Sequence, residues 1–202
     1  MGGMKTPMPN ENRPRRIWSP AEAFYIESML FNSRSAVISI KRVSEILTAI
    51  SVGTAGKSGG EVEMDTILDH LQNIVVKGAA LSRYFWPIRK LHEWRGIQIR
   101  TSLSISENSP LKSRDLRNNI EHYDEKLDDY LNQGIVGYIL PQYVGNSLDR
   151  NGVASHIFRA YFVDTGVFEL LGQQYEIPPL AEEILQIHEK LISCISNGSR
   201  FP

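Results

Sequence analysis

Arg117 and His122 stand with four residues between them in Arg117-Asn118-Asn119-Ile120-Glu121-His122, and their side chains can do chemistry together. A guanidinium is planar and permanently cationic, and an imidazole titrates near neutral pH. The pair can therefore neutralise a phosphate and accept a proton without a metal. That suits a phosphodiester carrying its own nucleophile: His122 would deprotonate a ribose 2′-hydroxyl while Arg117 neutralises charge building on the phosphorane oxygens. Asn118, next to the arginine, would orient His122 or donate to the phosphate. DNA, lacking the hydroxyl, would be inert. A second pair, Arg150 and His156, has nearly the same separation in a stretch with the texture of turn and strand, so spacing alone discriminates little.

The surroundings discriminate more. Ser109-Pro110-Leu111 opens a helical run, and the acidic Asp124-Glu125 and Asp128-Asp129 follow His122. The run Leu116-Arg117-Asn118-x-x-Glu121-His122-x-Asp124-Glu125 resembles the HEPN superfamily, whose signature is an arginine, commonly a polar residue next, and a histidine four to six residues on. Ala79-Ala80-Leu81-Ser82-Arg83-Tyr84-Phe85-Trp86-Pro87 fits the same resemblance, which extends over roughly residues 19–197. It implies an antiparallel helical bundle and a homodimer with paired sites at its interface. It also implies a metal-independent endoribonuclease in a toxin or defence setting, with no cofactor and with an antitoxin or other protein as partner. It equally admits a catalytically inactive member that binds RNA, a nucleotide or a protein.

On one ideal helix, five positions amount to about 140°, so Arg117 and His122 do not share a face. With Ile120 centred on the buried stripe, His122 points nearly opposite, alongside Asn118, Asp115, Glu125 and Asp129. Arg117 flanks the stripe near Glu121 and Asp124. A twofold dimer setting two such helices face to face would cover the imidazole and gather both pairs in one cleft. The same residues also admit a purely structural account. Arg117 can pair with Glu121 at i+4, worth about a few tenths of a kcal/mol, and His122 can be a solvated surface residue. The carboxylates after His122 would repel RNA unless they point elsewhere.

The elements that must position this segment follow from apolar spacing. Ser19-Pro20-Ala21-Glu22 has a capping serine, a proline at the first helical position and a glutamate three residues on. A three–four alternation then runs from Ile26 through Met29, Val37 and Val43 to Ile50, giving one long helix or two with a bend near Asn32–Ser35. After Gly53–Gly60 a second run, Met64 to Phe85, predicts a helix antiparallel to the first and ending before Pro87. A shorter helical stretch, Ile88 to about Leu103, is interrupted by Gly96. From Ser109 the motif helix carries Leu116, Ile120, Tyr123, Leu127 and Tyr130 on one stripe. Between about residues 135 and 177 the texture turns β-branched and aromatic, predicting two or three strands: Ile135–Leu140, His156–Val163 and Val167–Ile177, with a turn at Asp164-Thr165-Gly166. A last helix begins near Pro178-Pro179. The fold class is mainly α, an antiparallel helical bundle with a small β-ribbon inserted before the C-terminal helix.

Composition bounds the remaining possibilities. At 202 residues the chain fits one domain, residues 17–202, behind a flexible arm, residues 1–16, that lacks the apolar core of a signal peptide. Its 22 basic and 23 acidic side chains leave a net charge of −1, so any RNA contact must be a local cluster of Arg and Lys. The single cysteine, Cys194, excludes an internal disulfide and a thiolate set for zinc, and a reducing cytoplasm is expected. No window is apolar enough to cross a bilayer. Gly53-x-x-Gly56-Lys57-Ser58 is similar to a phosphate-binding loop but lacks its first glycine and follows a helix where a strand is required.

Overall fold

The computed structural model describes residues 16–52, 60–113, 115–149 and 155–202. Most of the N-terminal arm, the Gly53–Ser58 segment and Arg150 lie outside the described residues. Six helices are present among them: α1 (Ser19–Ser51), α2 (Gly60–Phe85), α3 (Glu93–Ser102), α4 (Asp115–Glu121), α5 (Tyr123–Leu131) and α6 (Ile177–Ser196). Four strands, β1 (Tyr138–Gly145), β2 (Ser155–Phe162), β3 (Val167–Leu170) and β4 (Gln173–Glu176), lie between α5 and α6. No helix of the described chain is long and apolar enough to cross a membrane.

Three long helices form the core. α1 is one unbroken helix of 33 residues, with Ile26, Met29, Leu30, Ala36 and Val43 facing inward. Its side-chain hydrogen bonds set the neighbours' directions. Ser39 and His70 meet at 3.0 Å and Ser28 and Tyr84 at 2.5 Å, so positions fall along α1 as they rise along α2, and the two run antiparallel. Ser33–His188 at 2.9 Å and Glu22–Arg200 at 2.8 Å orient α6 antiparallel to α1 in the same way. Ile67, Leu71, Leu81, Ile184 and Leu191 complete the shared interior.

Two helix details depart from the sequence reading. Trp18, not Ser19, occupies the capping position and makes no side-chain cap bond. Glu22 is buried and accepts from Arg200 Nε at 2.8 Å and from the Phe201 backbone N–H at 3.1 Å, so it holds the C-terminal segment instead of closing a capping box. Gly96 does not interrupt α3; it lies within it and is buried. A Cβ there would stand 2.4 Å from the Phe85 carbonyl oxygen and 2.5 Å from Pro87 Cδ. The glycine is what lets α3 close on the end of α2.

The β element is a four-stranded mixed sheet, one strand more than the two or three read from the sequence, in the order β1-β2-β3-β4. β1 pairs parallel with β2, and the other pairings are antiparallel. β1 begins at Tyr138, and its Pro141, which has no N–H to donate, is tolerated because this is an edge strand. The stretch 167–177 is two strands because Leu171 and Gly172, at φ 49° and 77°, fold into a tight two-residue turn. Tyr161, Phe168 and Leu170 join the helical core, which seats the sheet against it.

Candidate functional site

The motif does not lie on one continuous helix. α4 ends at Glu121, α5 starts at Tyr123, and His122 sits between them at φ −118° and ψ 39°. The backbone ladder still bridges the break, since His122 N–H donates to Asn118 C=O and Lys126 N–H to His122 C=O, both at 3.0 Å. Each side of the break is held by a different part of the fold. Arg83 Nη2 on α2 donates to Glu121 Oε1 at 2.6 Å, fixing the end of α4. Arg159 of β2 lies over the Tyr123 ring at 5.3 Å, and the Tyr130 hydroxyl bonds His156 Nδ1 at 2.9 Å, fixing α5 to the sheet. Two anchors on separate elements leave the joint at His122 to absorb the change in direction.

The imidazole of His122 is open to solvent, with its side chain 58% accessible. Its Nδ1 stands 3.8 Å from Glu125 Oε2, too long for a hydrogen bond. Nε2 has no partner among the described residues. Asn118 is exposed, and its carbonyl supports His122 as described. The backbone of Arg117 belongs to α4, while its side chain lies outside the described part, so the described geometry joins His122 to Asn118 and to Glu125. Glu121, the i+4 neighbour of Arg117, accepts from Arg83 across the helix pair. The ideal-helix angle of the sequence reading is replaced by the kink.

A basic cluster beside the motif was not singled out from sequence. Residues 83–100 carry five basic side chains (Arg83, Arg89, Lys90, Arg95 and Arg100) against one acidic, Glu93. Arg95 and Arg100 of α3 donate to the carbonyls of Arg83 and Phe85, so they satisfy the last turn of α2, where the helix dipole favours cations. Arg95 also lies over the rings of Tyr25 and Tyr84 at 5.7 and 5.8 Å, and Arg100 over Trp86 at 5.4 Å. The visible signal was the excess of arginine around Tyr84-Phe85-Trp86. Of these aromatics only Phe85 is fully buried; Tyr84 and Trp86 are half-buried and stacked by guanidiniums.

The other histidines have structural partners or none of a catalytic kind. His156 Nε2 lies 3.2 Å from both backbone atoms of Val136, and its Nδ1 meets Tyr130, which occupies both ring nitrogens. Ser33 and Ser39 bond His188 and His70. Burial, with Arg34 and Lys41 nearby, holds His188 below the ordinary imidazole range. His92 is exposed in a short 3₁₀ turn. Against this surface stand Asp115, Asp124, Glu125, Asp128 and Asp129, all exposed on α4 and α5. Comparison with family models, with curated proteins and with solved structures found no match to this chain.

Proposed function

We propose that the chain is a metal-independent endoribonuclease of HEPN type that acts as a homodimer, with His122 as general base and Arg117 as the group that neutralises the phosphate. The observation that carries the reading is the state of His122. It is an open imidazole at a helix joint, with Glu125 Oε2 3.8 Å from Nδ1 and with Nε2 left for a substrate proton. Arg89 and Lys90 support it as exposed cations on a chain of near-zero net charge, whereas Arg83, Arg95 and Arg100 are taken up by Glu121, by the carbonyls of α2 and by Glu107. The attack of the 2′-oxygen on the adjacent phosphorus breaks the bond to the 5′-oxygen, which takes up a proton from water and leaves as a 5′-hydroxyl, with a 2′,3′-cyclic phosphate on the other fragment. Asn118 orients the joint. The setting implied is a toxin or defence system with a neutralising protein partner.

Single-stranded RNA incubated with excess chelator tests this directly. The expected result is cleavage to 2′,3′-cyclic phosphate ends, with the rate falling by about 10²-fold or more in both His122→Ala and Arg117→Ala while far-ultraviolet circular dichroism is unchanged. Cleavage that survives in either variant removes that residue's role. One observation favours a second reading: the exposed carboxylates around His122 suit a basic protein surface better than RNA. In that case the chain is a catalytically inactive binding module. A protein partner retained by both variants, with no RNA product from any of them, identifies it.

A further inference from the structure

α1 has two apolar faces, and the core uses only one of them. Ile26, Met29, Leu30 and Val43 are buried, yet Phe24, Phe31 and Ile38 on the opposite side are 78%, 69% and 65% exposed. These three recur every seven residues, which on an α-helix keeps them in one stripe about 21 Å long with only about 20° of drift per step. Ser28 and Ser35 lie beside them on the edge toward α2, and Glu27 and Arg34 on the other edge. Large side chains alternating with small ones along one seam make a surface into which a facing helix can interdigitate.

We infer that this stripe is the contact between two copies of the chain, packed α1 against α1 in antiparallel register about a twofold axis at Phe31. A twofold contact needs a surface complementary to itself, so that residues whose numbers have a constant sum oppose one another. With Phe31 against Phe31, Phe24 falls opposite Ile38, and Glu27 falls within one residue of Arg34 on each side. Both ion pairs of that register are of opposite sign. Lys77 of α2, whose ammonium lies 5.5 Å above the Phe31 ring, stands beside the axis, so the twofold brings two like charges to that edge and each ammonium must turn to solvent for the seam to close. The three apolar side chains present on the order of 400 Å² per protomer, so two copies bring roughly 800 Å² before their flanking residues are counted, against about 1,200 Å² for a specific interface.

The contact goes beyond the nuclease reading and does not rest on it. It does define the homodimer's shape: α4 is joined to α2 by Arg83 and Glu121, so the twofold places both His122 joints on the same, α2-bearing side of the α1 pair. The test is oligomeric mass, read by sedimentation equilibrium between 1 and 100 µM, with circular dichroism and thermal melting as the check on folding. The wild-type chain should give twice the 22.9 kDa protomer mass. Phe31→Glu should raise the dimer Kd by about 30-fold or more, as expected for a central hot spot. Glu27→Arg and Arg34→Glu should each weaken it by setting like charges opposite one another, and the double exchange should restore it. A wild-type monomer at 100 µM, a Phe31→Glu dimer of unchanged affinity, single exchanges that weaken nothing, or a double exchange no tighter than the singles overturns the proposal.

Discussion

Replacing Gly96 by alanine should destabilise the protein even though it removes a poor helix former from the middle of a helix. The intrinsic gain is about 1 kcal/mol. Against it, the new methyl would sit 2.4 Å from the Phe85 carbonyl oxygen, where ordinary contact begins at 3.4 Å, so the α2–α3 junction must open by about 1 Å. That oxygen is backbone and accepts from Arg100 Nη1, so it cannot swing away without losing a charge-assisted bond. Overpacking of this kind costs about 1–3 kcal/mol and loss of the bond about 1.5–3 kcal/mol, which, less the propensity gain, leaves a net loss of roughly 1.5–5 kcal/mol. At about 2–4 °C per kcal/mol for a chain of this size, Tm should fall by roughly 3–20 °C. Gly78→Ala is the control. Gly78 also lies within a helix, but its Cβ would meet the ends of Ile184 and Leu111, at 3.2 Å, and of Leu180, at 3.5 Å, and those side chains can give. It should stay within about 1 kcal/mol of wild type, because the same propensity gain is opposed by a small strain. Urea and thermal melts of both variants measure the difference. A Gly96→Ala protein as stable as wild type, or a Gly78→Ala protein weaker than Gly96→Ala, would refute the close-approach argument.

The Arg83–Glu121 pair should show a coupling of about 0.2–1 kcal/mol in a double-mutant cycle, the range for solvent-exposed pairs, and a value near zero would mean that it does not hold the end of α4. His188 gives the pH dependence. Burial, then Arg34 and Lys41, lower its folded pKa, while Glu189 acts in the opposite sense. The unfolded chain therefore takes up the proton first, so the stability due to neutral His188 is present above about pH 6.5 and is lost as pH falls through the folded pKa. Urea midpoints should decline from pH 7 to pH 5, and His188→Gln, which keeps a side chain able to bond Ser33, should flatten that slope; an equal slope in both proteins counts against it.

The parts of the fold written in local spacing were legible in the sequence. The three–four alternations of α1, α2 and α6 are visible because each helix buries one face, and a repeating pattern follows from that geometry. The seven-residue recurrence of Phe24, Phe31 and Ile38 is hidden in the same stretch, since exposed and buried apolar residues look alike until a core is drawn. The fourth strand was missed because its turn is Leu171-Gly172, where the usual hairpin signal is Asn-Gly or Asp-Gly. Gly96 was misread for a related reason. A glycine inside a helical pattern signals either a break or a close approach, and only the neighbour, here Phe85 and Pro87, decides between them.

The joint at His122 shows why a motif does not contain its own geometry. From Leu116 to Leu131 the local pattern favours one continuous amphipathic helix, and nothing within that stretch predicts a break. The contacts on either side of the break come from outside it: Arg83 is 38 residues before Glu121, and Arg159 arrives from a strand that follows. Arg83 in turn stands on the last turn of α2, whose carbonyls are held by Arg95 and Arg100 from α3. The backbone next to His122 is thus linked, through Glu121 and Arg83, to guanidinium contacts that begin where Gly96 lets two helices touch. A substitution at Gly96 should move His122 without contacting it. Under the proposed ribonuclease function, activity per folded Gly96→Ala molecule, measured below the melting transition, should therefore fall by more than the unfolded fraction alone accounts for.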